Sequence, residues 1–241
     1  MLHSSTSEVV GGSTLEFQTE DEIQTPKSPY GVAKAAAEHM IKVYRDSYDF
    51  FVCFTRSFNF ESKRRGEEFV TRKITKSIGD MWKILDKKSD EVEKIIAVEL
   101  DGKIPNFIPT YVAFNVGMEQ GWIQPIHLGN LEPKRDWSHA KDTANGMWLA
   151  LQQDKPDDYV LSSGKTRSIR EFLDEAFSVV GIQDWSEYVV QDPAFYRPAD
   201  VHYLCGDNSK AKEKLGWEQQ YTFEQLVEEM VKHDMGMDDE E

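Results

Sequence analysis

The stretch that most constrains this chain begins at Thr25-Pro-Lys-Ser-Pro-Tyr-Gly-Val-Ala-Lys34 and continues into the apolar run that ends at Arg56. Ser28 can cap a helix, and Pro29 suits the first turn, where an N–H would have no partner. The spacing predicts a helix from Pro29 to about Tyr48, with Ala33, Ala37, Met40, Ile41 and Tyr44 on one stripe. Asp49-Phe-Phe-Val-Cys-Phe-Thr-Arg56 then reads as a buried strand, a short run rich in β-formers. Met1-Leu-His-Ser-Ser reads as the tail of an earlier buried strand. A strand, a helix and a second strand of this kind imply an α/β chain with a parallel sheet.

The same stretch carries side chains suited to moving protons. Tyr30 and Lys34 are four residues apart, so both leave one helix face about one turn (~6 Å) apart. An ammonium beside a phenol favours the phenolate, which makes the tyrosine a base nearer neutral pH. Thr6 adds a hydroxyl and Glu8 a carboxylate; in an extended segment residues two apart point the same way, so both could face one cavity. A Tyr-x-x-x-Lys spacing also occurs on plain solvated helix faces. Three features add to it here: Ser-Pro directly before Tyr30, the small residues Gly31, Ala33, Ala35, Ala36 and Ala37, and the upstream Thr-x-Glu.

Ser5-Thr-Ser-Glu8 followed by Ser28-Pro-Tyr-Gly-Val-Ala-Lys34 resembles the extended short-chain dehydrogenase/reductase superfamily, in its nucleotide-sugar branch. Asn59-Phe-Glu-Ser-Lys-Arg-Arg-Gly-Glu-Glu-Phe-Val-Thr-Arg-Lys-Ile74 and Leu128-Gly-Asn-Leu-Glu-Pro-Lys-Arg-Asp-Trp-Ser-His-Ala-Lys-Asp142 resemble the signature of the GDP-mannose 4,6-dehydratase family. Phe195-Tyr-Arg-Pro-Ala-Asp-Val201, Gly206-Asp and Lys214-Leu-Gly-Trp217 continue it in the family's order.

The resemblance implies an incomplete Rossmann-like parallel sheet, the C-terminal half of one, interleaved with a smaller α/β substrate-binding domain. Residues 1–60 would be the remainder of the NADP-binding domain, with a strand returning within 126–165. Residues 61–241 would be mainly nucleotide-sugar-binding, with an insertion at about 86–124. The family's glycine-rich turn, which holds the dinucleotide pyrophosphate at a helix N-terminus, has no counterpart: Gly11-Gly12 lies in no strand–turn–helix setting. The first βα units of the Rossmann domain are therefore expected to be missing from this stretch.

The activity implied is conversion of GDP-mannose to GDP-4-keto-6-deoxymannose with an internal NADP hydride shuttle. Tyr30 would take the C4 hydroxyl proton, and Lys34 would favour its phenolate and grip the nicotinamide ribose. Glu8 would remove the C5 proton, and Thr6 would hydrogen-bond the C4 oxygen. The carboxylate beside the hydroxyl residue separates this family from epimerases and reductases of the superfamily. Arg65 would meet the NADP phosphate, while Asn59, Lys73, Lys134, Arg135 and Arg197 are the candidates for GDP; guanidinium forks suit a pyrophosphate. Phe60 and Lys63 stand where the family has His and Pro, and Phe60 cannot donate the imidazole hydrogen bond. The partners implied are GDP-mannose and either a further copy or a complementing N-terminal half. Two other readings are a non-catalytic module that holds GDP-sugar or oligomerises, and another nucleotide-sugar dehydratase or epimerase.

Further along, Phe69 to about Leu85 reads as a helix, and Ile95–Leu100 and Thr110–Asn115 as a hairpin turning at Asp101-Gly102. Ser138 reads as the cap of a helix to about Gln152, and Thr222 to His233 as the last helix. The acidic tail Met237-Asp-Asp-Glu-Glu241 reads as frayed. The 241 residues suffice for a real core. A net charge of −15 argues against binding a nucleic-acid backbone. Two cysteines and six histidines show no disulfide framework and no metal spacing. No run is apolar enough to span a bilayer and no signal-peptide pattern opens the chain, so a cytoplasmic protein is expected.

Overall fold

The computed structural model of the chain describes residues 1–101, 107–196, 201 and 203–238. In chain order the elements are β1 (Leu2–Thr6), α1 (Pro29–Tyr48), β2 (Cys53–Ser57), β3 (Asn59–Glu61), α2 (Val70–Lys87), α3 (Ser89–Glu99), α4 (Thr110–Glu119), β4 (Ile126–Leu128), β5 (Lys134–Arg135), β6 (Trp137–His139), α5 (Ala140–Ala150), β7 (Tyr159–Leu161), β8 (Arg167–Ser168), α6 (Ile169–Val179), β9 (Val189–Gln191), α7 (Ser209–Leu215) and α8 (Phe223–Met235). They fall into two compact units: Met1–Ser62 with Glu132–Ser168 and Arg197–Leu226, and Lys63–Leu131 with Ile169–Tyr196 and Val227–Glu241.

The first unit is built on a parallel sheet of order β1-β2-β7, in which Leu2 lies opposite Cys53 and Thr55 opposite Tyr159. Its fold is the Rossmann-like α/β arrangement that the sequence implies. Ala150, Tyr159, Leu161, Ala211, Leu215 and Trp217 form one buried cluster, and Ile41, Val52 and Phe54 another. Trp217 donates its indole N–H to the Asp142 carbonyl at 2.8 Å, which places it in the core.

Helix α1 starts and stops as its sequence dictates. Ser28 is the N-cap and accepts the Gly31 N–H at 3.0 Å; Pro29 occupies the first turn; Asp49 ends the helix in the left-handed region at φ 52°. The buried stripe differs from the expected one. Gly31, Ala35, Glu38 and Ile41 face inward, whereas Met40 is 61% and Tyr44 44% exposed. The reason is electrostatic. Arg56, in the middle strand β2, points its guanidinium at Glu38, whose carboxylate also accepts from Ser5 Oγ and Gln24 Nε2. A fully buried arginine without a carboxylate is far costlier than a few exposed methyl groups, so the helix turns its glutamate inward. Strand β2 also begins at Cys53 rather than Asp49, because the left-handed cap and the exposed Phe50 and Phe51 precede it.

In the second unit, α2 buries Ile74, Ile78, Met81 and Leu85. Gly79 permits its approach to Asp234, where a Cβ would overlap the backbone. The expected hairpin is instead two helices, α3 and α4. Val92 with Ile96, and Val112 with Val116, are each four apart and meet in one cluster, so helical period overrides the β-branched composition. Asp101 is left-handed at φ 52°; Gly102 lies outside the described residues. Ser138 is not a cap: it is buried in β6, and His139 caps α5 by accepting the Lys141 N–H at Nδ1, 3.0 Å away. In the tail, Asp238 accepts from His233 at 2.8 Å, and residues 239–241 lie outside the described ones. No helix among the described residues is long and apolar enough to cross a membrane, and none of their His, Cys, Asp and Glu side chains form a group suited to a metal ion.

Glu38→Ala leaves a charged guanidinium buried and unpaired, and is expected to destabilise the chain by about 3–5 kcal/mol. Urea unfolding measures it; a loss under about 1 kcal/mol, the size of a surface pair, would show that the pair does not orient α1.

Candidate active site

The site grows from the junction of β1 and α1. Thr6 ends the strand, and its side-chain oxygen accepts the Glu8 N–H at 3.3 Å, capping a short 3-10 turn over Ser7–Val10. Glu8 therefore does not continue the extended segment, and strand alternation does not set its direction as the sequence suggested. Packing does. A Cβ on Gly31 would come within 2.7 Å of the Glu8 carbonyl oxygen, so only a glycine lets the first turn of α1 lie this close to the 3-10 turn. One turn on, Ala35 packs against Val9 and Val10. Gly31 and Ala35 thus serve a close backbone approach, while Ala33 and Ala36 are exposed.

This contact sets the Thr6–Glu8 turn against the helix that carries Tyr30 and Lys34. Ser28 Oγ donates to Oε2 of Glu8 while accepting from Gly31. Two residues on, Tyr30 is 52% exposed at the helix start. The Lys34 ammonium lies 5.8 Å from the centroid of the Tyr30 ring and donates to the Ser4 carbonyl at 2.7 Å. Thr6, Glu8, Tyr30 and Lys34 all belong to the first unit, on two adjoining elements. Their hydroxyl, carboxylate, phenol and ammonium can accept and return protons, and the phenol and ammonium suit the ribose hydroxyls of a nicotinamide cofactor. No glycine-rich strand–helix turn is present among these residues to hold its pyrophosphate.

On the same side of α1 as Lys34, His3 has its Nε2 buried and without a hydrogen-bond partner among the described residues. Burial first, and the nearby Lys34 charge second, push its pKa down, so it is neutral.

The anion-binding candidates are spread over both units. Asn59 opens β3 opposite Trp137, and Lys134 and Arg135 form β5, paired with β8, all in the first unit. In the second unit Lys73 donates to the His127 carbonyl at 2.6 Å and lies 4.0 Å from the centroid of the Phe195 ring. Arg65 sits 3.5 Å over the Phe69 ring. Arg197 lies outside the described residues.

Three buried charged side chains that hold this part of the fold escaped sequence reasoning. Glu38 and Arg56 had a signal, a lone arginine closing an apolar strand run, which demands a buried partner. Asp136 follows the two basic residues of β5 and is fully buried. Its carboxylate accepts from Ser163 N and Oγ, both at 2.7 Å, from Gly164 N at 3.0 Å and from Gly206 N at 3.2 Å. It fixes the end of the strand that carries Lys134 and Arg135. Only the three-dimensional approach of 163–164 and 206 reveals this, and no local pattern does.

A family model described as GDP-mannose 4,6 dehydratase matches residues 1–92 and 103–230. The chain is 40% identical over 224 residues to GDP-mannose 4,6 dehydratase 2 of Arabidopsis thaliana, covering 93% of this chain and 50% of that protein. It is 34% identical to the GDP-mannose 4,6 dehydratase of Homo sapiens over 248 residues, 96% of this chain and 57% of that one. The chain spans about half the length of the curated relatives it matches. Among solved structures it resembles RMD from Pseudomonas aeruginosa complexed with NADPH, with a TM-score of 0.71 and 20% identity over 98% of this chain and 66% of that one. It likewise resembles dTDP-glucose 4,6-dehydratase from Bacillus anthracis in complex with NAD, with a TM-score of 0.68 and 20% identity over 96% of this chain and 60% of that one. These two likenesses show the fold.

Burial holds the Asp136 carboxyl up at about 6 despite its four hydrogen bonds. The folded value lies above the unfolded one, near 4, so the folded chain holds this proton more tightly. The contribution to stability is full below about pH 4 and is lost as pH rises through about 6. Between pH 4 and 7 the wild-type chain is expected to lose about 2 kcal/mol more than Asp136→Asn does. Urea unfolding at both pH values checks this, and equal pH dependence in the two proteins would refute it.

Proposed function

The chain belongs to the GDP-mannose 4,6-dehydratase family, and from that membership we propose that it supplies the proton-handling half of a lyase acting on GDP-mannose. The observation that carries this reading is the seating of the Thr6–Glu8 turn on the first turn of α1 through Gly31. It brings the carboxylate that a dehydration needs to the helix that bears Tyr30 and Lys34.

Tyr30 takes the proton of the C4 hydroxyl, with the Lys34 ammonium beside its ring. Thr6 holds the C4 oxygen. The C4 ketone acidifies the C5 hydrogen, and Glu8 removes it as a proton. The electron pair left behind expels the C6 hydroxyl. Of the protons held by Tyr30 and Glu8, one leaves in that water and the other returns to C5. NADP held beside Tyr30 and Lys34 would supply a hydride acceptor for C4 and a hydride donor for C6, so that the ring would be oxidised at one carbon and reduced at the other with no net redox change. The Tyr30 hydroxyl and the Lys34 ammonium would hold the nicotinamide ribose, and Arg65 the phosphate that distinguishes NADP. Asn59, Lys73, Lys134, Arg135 and Arg197 would receive the GDP moiety, where guanidinium groups match the diphosphate. A carboxylate placed for C5 has no task in an epimerase, which favours a dehydratase.

The pyrophosphate cradle would come from the part of the family's length that this chain does not span. The surface fits such a partner. The Met1 carbonyl accepts from Cys53 N at 3.0 Å, so Met1 faces β2, and the Ser4 carbonyl, bonded to Lys34, faces the other way. Backbone groups alternate along a strand, and among the described residues β1 is the edge strand of its sheet. Beside it a cavity of about 630 Å³ is lined by Met1, His3, Met40, Tyr44, Phe50 and Phe51. A further strand on β1, followed by an apolar-faced helix in this cavity, would cover both.

The test is to co-express the chain with the residues of the Arabidopsis relative that lie outside their match, then supply GDP-mannose and NADP. A complex that forms the 4-keto-6-deoxy sugar is expected, and Tyr30→Phe should lower turnover by at least about 100-fold. A soluble, folded complex without product would overturn the proposal, as would pairing of this chain only with itself.

A further inference from the structure

Ser28 stands between the two halves of the site. Its Oγ accepts the Gly31 N–H that caps α1, and its hydroxyl donates to Oε2 of Glu8. A serine hydroxyl has one hydrogen and two lone pairs. With a lone pair spent on the cap, the single hydrogen is aimed at the carboxylate.

We infer that Ser28 is a positioning residue for Glu8: one hydroxyl caps the helix that carries Tyr30 and Lys34 and holds the carboxylate by Oε2, leaving Oε1 to take the proton. The inference rests on the reading of Glu8 as the base at C5. Glu8 is then fixed from two sides, its N–H by the Thr6 side chain and its carboxylate by Ser28. A donor on an ionised oxygen is stronger than a neutral hydrogen bond. Orientation is what it returns. Proton abstraction from carbon depends on the carboxylate lying within reach of one C–H, and a side chain with free rotamers spends most of its time elsewhere. The proton from C5 forms its new bond to Oε1, and the C–H electron pair passes toward the C4 ketone. Oε2 keeps the Ser28 hydrogen bond throughout, so the clamp does not have to break for the step to occur.

A helix cap alone would predict a loss of stability with no preference among chemical steps. Two substitutions separate the roles. Ser28→Asp caps about as well as serine but has no hydrogen to give, and it sets a second negative charge beside Glu8. Ser28→Thr keeps both the cap and the hydrogen.

The first measurement needs no substrate. Ser28→Ala, Glu8→Ala and the double variant of the chain are unfolded in urea. If the two side chains are joined, their effects on the unfolding constant should fall short of additive by about fivefold or more; additivity within about twofold would overturn the inference. The second uses the co-expressed complex with GDP-mannose and NADP, and reads two signals. Transient absorbance of the reduced nicotinamide reports oxidation at C4, and deuterium uptake from heavy water reports proton removal at C5. Ser28→Thr should stay within about threefold of the wild type on both, while Ser28→Ala and Ser28→Asp keep the first signal and lose C5 uptake by about tenfold or more. Unchanged C5 uptake in Ser28→Asp would overturn the inference. Absence of both signals in the wild-type complex would instead overturn the assignment of Glu8 as base, and the urea cycle would still decide whether the clamp exists.

Discussion

The ion pair between Glu38 and Arg56 sets the geometry on which the first unit depends. Both side chains are fully buried, and Arg56 Nη2 lies 2.8 Å from Glu38 Oε2. Removing two charges from water is costly, and attraction between them repays it only when the remaining lone pairs and protons are also satisfied. Here they are. The carboxylate accepts from Ser5 of β1 and Gln24 of the preceding loop, and the guanidinium donates to the Thr19 carbonyl. One pair therefore ties the edge strand, the middle strand, the helix and the long loop to one another. Its consequence reaches the site. With Glu38 turned inward, Ala35 and Gly31 follow at helical spacing on the same face, and it is Gly31 that meets the Glu8 carbonyl.

The same device recurs on a smaller scale. Asp158 accepts from Arg45 and from the Phe54 N–H; Asp142 accepts from the backbone N–H groups of Gln220 and Tyr221; Asp234 holds Thr75 and Arg72. In each case a buried carboxylate gathers donors from segments far apart in the chain. The strands are short, from two to five residues, and supply few ladder bonds. Carboxylate stitches give loops the fixed positions that longer sheets would otherwise give. At Asp136, where burial outweighs the donors, the stitch also gives folding a dependence on protonation.

How much of this was legible in the sequence follows from how local each signal is. The ends of α1 were readable because Ser28-Pro29 and the run to Tyr48 act within a turn of themselves. Its buried face was not, because a glutamate faces inward only when an arginine eighteen residues later requires it. The segment Ile95–Leu100 has strand-like composition, yet the contact of Val92 and Ile96 with Val116 exists only when both segments are helical. At the site, residue types and spacing marked Thr6, Glu8, Tyr30 and Lys34. That Glu8 leaves the strand for a 3-10 turn depends on the Thr6 cap, which composition does not display. The family's order of motifs pointed to these residues, and the seating of the Thr6–Glu8 turn on α1 is a matter of packing.

That packing also explains why the outer face of α1 is so apolar. Met40, Val43, Tyr44 and Tyr48 are exposed, and Tyr44 stacks on Phe50 with ring centroids 5.8 Å apart. A helix whose inward face were hydrophobic could afford a charged exterior, as surface helices ordinarily do. Here the inward stripe is spent on glycine, alanine and an ion pair, which bury little apolar area. Met40, Tyr44, Phe50 and Phe51 line one cavity with Met1 and His3, whose Nε2 has no hydrogen-bond partner among the described residues. Burying them on a further element would release apolar surface at roughly 25 cal/mol per Å² and give the edge of β1 its missing hydrogen bonds. In the proposed complex, docking on this face would steady β1 and α1, the two elements that carry Thr6, Tyr30 and Lys34.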